Sequence, residues 1–141
     1  MKTLRRLLFG VCLTTACIAT ASAEFTSVPF VTGRQQFKAG DGIVIDQVLA
    51  TSPKLGIGTK VVVRGHYQLS SANEARLGLF VTHEGRSSDV DSVTPSQTAR
   101  VSNATGAFEL SCAISEAGSL HVSFYPVPTG EAFGGVYFRQ E

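Results

Sequence analysis

Residues 60–69 read KVVVRGHYQL, and their alternation decides the fold class. Val61, Val63, Tyr67 and Leu69 fall on one side of an extended chain, with Gly65 between them. Lys60, Arg64, His66 and Gln68 fall on the other. Successive side chains of a strand point to opposite faces, so the stretch predicts a strand with one face on a core and one in water.

The same period recurs along the chain, and no stretch gives a helical stripe. ARLGLFVTH turns Ala75, Leu77, Leu79 and Val81 inward. AFELSCAIS turns Phe108, Leu110, Cys112 and Ile114 inward, with Glu109 and Ser111 outward. SLHVSFYP gives Leu120, Val122 and Phe124, and GGVYF gives Val136 and Phe138. GIVIDQVL offers Ile43, Ile45 and Leu49, with Asp46 opposite. Weaker candidates surround Gln97–Val101 and Val28. Gly, Pro, Asn and Ser in the gaps AGDG, TSPKLGIG, SSANE, SNATG, SEAGS and PVPTGE supply the angles and local hydrogen bonds of turns. Seven or eight short strands at this spacing predict an all-β protein: one antiparallel β-sandwich of immunoglobulin-like size, with a small barrel as the alternative. The Cys and Trp markers of immunoglobulin domains are missing, so the likeness is to architecture only.

Upstream, residues 1–23 have the three parts of an export signal. Lys2, Arg5 and Arg6 are followed by the apolar run Leu7–Ile18 and by Ala21-Ser22-Ala23. The run falls short of the ~20 residues a spanning helix needs. Cleavage before Glu24 would leave an exported protein, periplasmic or extracellular. LTTAC also loosely fits a bacterial lipoprotein signal, in which Cys17 would be lipidated and the protein anchored to the envelope. Residues 24–40 read as a less regular leader with one edge strand, and residues 41–141 as the sandwich domain. Without residues 1–23 the chain has nine basic and eleven acidic residues, a net charge near −2, and no Lys/Arg cluster. That argues against nucleic-acid binding. Cys112 is then the single cysteine, so no internal disulfide is expected.

Candidate chemistry is sparse. There is no Gly-x-Ser-x-Gly elbow, and Cys112, between Leu110 and Ile114, reads as a core residue rather than a nucleophile. His66, His83 and His121 lie on separate strands without metal-ligand spacing, His66 and His121 facing outward. Glu84, Asp89 and Asp91 in HEGRSSDVDS are hard oxygen donors, but Asp-x-Asp alone lacks the spacing of a calcium loop. GDGIV and GIGTK lack the following helix of a phosphate loop, and Asn103-Ala-Thr reads as a surface turn. The expectation is therefore no catalytic residue, no metal and no cofactor. An enzyme built from His66, His83, Asp89 and Asp91 would require those dispersed groups to meet in a cleft.

The best candidate surface lies in Leu120–Phe138. Parity places His121, Tyr125, Phe133 and Tyr137 opposite the core residues, beside Gly134 and Gly135, as one exposed aromatic strip. Such a strip stacks sugar rings or anchors a protein partner. The competing reading is that cross-strand rings stabilise a hairpin, with residues 24–40 as a possible cover. The function expected is an exported, non-catalytic binding or accessory module for a protein or carbohydrate partner. The alternatives are an envelope assembly protein pairing through an edge strand, or the same module anchored by lipid at Cys17.

Overall fold

A computed structural model describes residues 22–83, 86–87 and 94–141. Residues 1–21 of the stretch read as an export signal, with Cys17, and the carboxylates Glu84, Asp89 and Asp91 lie outside the described residues. The chain forms two antiparallel sheets packed as a β-sandwich. The first contains β1 (Thr26–Ser27), β3 (Gly42–Ala50), β4 (Lys60–Gln68) and β8 (Thr105–Ala113), in the order β1-β3-β4-β8. The second contains β2 (Phe30–Gln36), β10 (Gly134–Gln140), β9 (Ser119–Tyr125) and β5 (Glu74–His83), in the order β2-β10-β9-β5. Two further strands, β6 (Arg86–Ser87) and β7 (Thr98–Ser102), share the far edge of β5.

Alternation explains the packing. Val61, Val63 and Leu69 from the first layer meet Leu77, Leu79, Val122, Phe124 and Val136 from the second, all almost fully buried. Each such side chain contributes about 1.5–3 kcal/mol relative to leaving it exposed. Lys60, Arg64, His66 and Gln68 lie on the solvent side of β4 as expected.

Strand β3 departs from strict alternation. Ile43 and Ile45 are inward, but the next inward residues are Val48 and Ala50 rather than Leu49, which is half-buried. Ile45 pairs with Gly65 and Gln47 with Arg64, so Asp46 is an extra residue in a β-bulge. One inserted residue exchanges the two faces downstream of it.

Residues 24–40 supply an edge strand to each layer. Val28 donates to the Val48 carbonyl at 2.9 Å, extending the β1–β3 ladder. Pro29 has no N–H with which to continue it. The chain crosses to the second sheet there, and Phe30 pairs with Gln140 at the end of β10. β2 therefore flanks β10 within the sheet. At one end of the sandwich Asp41 fastens the loop before β3 to the loop after β4: its carboxylate accepts from the Ser70 and Ser71 amides at 2.8 and 2.9 Å and from the Ser71 hydroxyl at 2.5 Å. Burial raises the Asp41 pKa, but these bonds and the charge of Lys38 outweigh it and hold the carboxyl below 3.8. Asn103 Nδ2 donates to the carbonyls of Ser70 and Ala72 in the same corner.

Candidate binding cleft

The outer face of the second sheet is built around β9, whose outward residues are His121, Ser123 and Tyr125. Pairing sets Tyr137 of β10 and Phe80 of β5 on either side of His121, and Gly135 and Gly78 on either side of Ser123. Three rings thus cross three strands in a row. His121 lies 4.9 Å from Tyr137 and 6.2 Å from Phe80 between centroids, and Phe80 meets Tyr125 edge-on at 5.3 Å. The glycines let the row lie flat. A Cβ on Gly78 would stand 2.3 Å from Phe80 Cε2, and one on Gly135 would stand 2.1 Å from Ser123 Oγ.

This packing corrects the expectation of an exposed strip. His121 is 3% exposed and Tyr125 8%, with Phe80 at 3%, although all three point away from the main core. Tyr137 is half-buried. Phe133 leaves the strip altogether. It sits in a bend before β10, its amide donates to the Phe124 carbonyl at 2.9 Å, and its ring stacks on the core ring of Phe124 at 5.8 Å and 12°. Parity fails for Phe133 because the strand begins one residue later. His121 and Tyr137 are in contact; Tyr125 and Phe133 lie apart from that pair.

Inside this layer His121 Nδ1 is 2.8 Å from Ser123 Oγ, and Nε2 has no hydrogen-bond partner among the described residues. Burial disfavours the imidazolium and pushes the His121 pKa from 6.5 down to about 4, so the ring is neutral near pH 7.

Beside the row, on the outer face of the paired strands β2 and β10, lies a cleft of about 390 Å³. Gly134 and Gly135 form its floor, Phe133 and Tyr137 contribute rings, and Ser123 reaches it from below. Alternate residues on one side of the edge strand, Arg34 and Gln36, together with Lys38 just past its end, complete it. Lys38 Nζ stands 4.9 Å from the centre of the Phe133 ring, a cation–π contact. The groups present can stack a flat ring, donate and accept through an amide and a hydroxyl, and meet a negative charge. Two of the anticipated residues, Phe133 and Tyr137, belong to this cleft. Gly134 and Gly135 were expected beside the strip, but Arg34, Gln36 and Lys38 were not anticipated. Their one signal was the period-two spacing of Arg34, Gln36 and Lys38 within a segment read as irregular.

The remaining candidates stay apart. His66 lies on the outer face of the first sheet, its Nδ1 2.5 Å from Asp46 Oδ2, on the opposite side of the sandwich from His121. The backbone of His83 ends β5, paired with Arg86. Cys112 is buried among core residues, and burial pushes its thiol up to about 11. Among the described residues no three His, Cys, Asp or Glu side chains are grouped closely enough to hold a metal ion. Comparison with protein-family models, with curated proteins and with solved structures finds no match, so the functional reading rests on geometry.

Proposed function

We propose that the protein is an exported, non-catalytic β-sandwich module that binds a carbohydrate in the cleft on the outer face of β2 and β10. The observation that carries this reading is a glycine-floored hollow with rings at Phe133 and Tyr137 and polar groups from the edge strand. Its volume suits a small ring-bearing group. A protein partner would need a contact of about 800 Å² on each side, far broader than this hollow. Sugar rings present an apolar face that stacks on aromatic rings, and hydroxyls that an amide and a serine can meet. Export, and the lipid anchor at Cys17 as its alternative, rest on the sequence of residues 1–23. The test is titration of the purified protein with a panel of oligosaccharides, followed by Tyr137→Ser. Saturable binding that the variant loses while its melting temperature stays within a few degrees supports the reading. Absence of binding across the panel, or unchanged binding by the variant, overturns it.

A second reading has an observation of its own. β1 and Val28 reach only Val48, Leu49 and Ala50, so among the described residues no strand pairs with the Gly42–Asp46 end of β3, an open edge where Val44 is 60% exposed. An open edge offers unpaired amides and carbonyls to another strand. Assembly through it predicts sedimentation that depends on protein concentration and is lost in Val44→Lys. A monomer at every concentration excludes it.

A further inference from the structure

We infer that the ligand of the β2–β10 cleft is an anionic oligosaccharide, whose charged groups are held by Arg34 and Lys38; this rests on the carbohydrate reading above. The register of the two strands carries the inference. Gly135 pairs with Gln36 and Val136 with Gln35, and the next pair is Phe138 with Thr32. The skipped residues, Gly33 and Arg34, therefore lie opposite Tyr137 at one end of the cleft. At the other end Lys38 stands over Phe133. Each end of the hollow thus combines one ring with one cation, and Gln36 faces the glycine floor between them.

Arg34 and Lys38 are four residues apart, about 13 Å along an extended chain. Two separate charges of an extended ligand fit that spacing better than one compact anion does. Among the described residues no carboxylate lines the cleft, and none forms an ion pair with Arg34 or Lys38. The charge of Lys38 also helps to hold the Asp41 carboxyl low, but the hydrogen bonds from Ser70 and Ser71 do more. The chain beyond residue 23 carries a net charge near −2, so an anion is attracted by this local pair against the overall sign of the molecule. A neutral sugar would leave Arg34 without a charged partner and Lys38 with only its contact to the Phe133 ring and its attraction to Asp41. An acidic one gives Arg34 a planar partner for its fork of donors and Lys38 a point charge.

The experiment is calorimetric titration with three probes of equal length: an oligogalacturonate, the same oligosaccharide with its carboxyls reduced to alcohols, and a sulfated neutral oligosaccharide. The oligogalacturonate, the sulfated probe or both should bind about tenfold or more tighter than the reduced one. Affinity should fall as salt rises from about 50 to about 500 mM, because exposed charges are screened. Arg34→Gln and Lys38→Gln, both at exposed positions, should each weaken the anionic probe about three- to tenfold and bring it toward the reduced probe, with unchanged melting. Equal binding of reduced and anionic probes overturns this inference and leaves the carbohydrate reading standing. Absence of binding by all three removes the carbohydrate reading itself, and the inference with it. Preference for carboxylate over sulfate, or the reverse, identifies the source of the charge.

Discussion

Lowering the pH from 7 toward 4.5 should destabilise the protein through one side chain, His121. Its imidazole is wedged between Tyr137 and Phe80, 3% exposed, with Nε2 unsatisfied among the described residues. In the unfolded chain it takes a proton as pH falls through about 6.5, and in the folded protein only near 4. Between those values the unfolded state binds more protons, so stability rises with pH across the window. The contribution is fully present above 6.5 and fully lost below 4. At about 1.4 kcal/mol for each tenfold change in proton affinity, the gap from 6.5 to about 4 corresponds to roughly 3 kcal/mol. That is a large share of the ~5–15 kcal/mol by which domains are stable. The carboxyl of Asp41 works in the same direction but only below 3.8, outside the window. The assay is urea unfolding at half-unit pH intervals, followed by far-ultraviolet circular dichroism because the chain has no tryptophan. His121→Gln can keep a bond to Ser123 and cannot titrate. It should lie below the native protein at pH 7 and show a much flatter dependence on pH. A native protein whose stability is level between pH 6.5 and 4.5, or a Gln variant that keeps the native slope, refutes the reasoning.

Four other outcomes are expected. Gly135→Ala brings a methyl within 2.1 Å of Ser123 Oγ and 3.0 Å of the Val122 carbonyl, so it should cost about 1–3 kcal/mol on thermal melting and abolish glycan titration. The Cys112 thiol, pushed from 9.0 up to about 11, should react with a thiol reagent at pH 8 about a hundredfold more slowly in the native protein than in urea, tracked by peptide mass spectrometry. Asp41→Ala leaves the Ser70 and Ser71 amides without their acceptor, so chemical unfolding should show a loss of about 1–2 kcal/mol. Arg64→Ala breaks a pair with Glu109 in which both side chains are about half exposed, and the same measurement should register less than about 1 kcal/mol.

Alternation made the two-layer fold legible, because burying one face of each strand is the main physical demand on a sandwich and it is written with period two. Val61, Val63, Leu77, Leu79, Leu110, Val122 and Phe124 all lie where the pattern puts them. Leu49 does not, because a bulge is a local accident of pairing that hydrophobicity alone leaves unmarked. Phe80 was invisible for another reason. Placed between Leu79 and Val81, it points away from the main core by parity, yet it is buried by lying over Gly78 against Tyr125 and His121. Parity reports which side a residue takes. Whether that side is covered depends on neighbours from other strands, and those come from pairings over long sequence distances.

The cleft illustrates the same dependence at the level of function. Its cations come from residues 34–38 and its rings from residues 133–137, about a hundred positions apart in sequence, and only the β2–β10 ladder joins them. The chemistry of the site is therefore a property of one register. Arg34, Gln36 and Lys38 share a face because they alternate. That face is the outer one because Gln35 pairs with the inward Val136. A slip of one residue would turn all three toward the core side and present Gln35 and Phe37 to the cleft instead. Phe37 would lose its edge-on contact with the core ring of Phe124. The packing of Phe37 on Phe124 thus helps to hold β2 in the register that turns Arg34, Gln36 and Lys38 to the cleft.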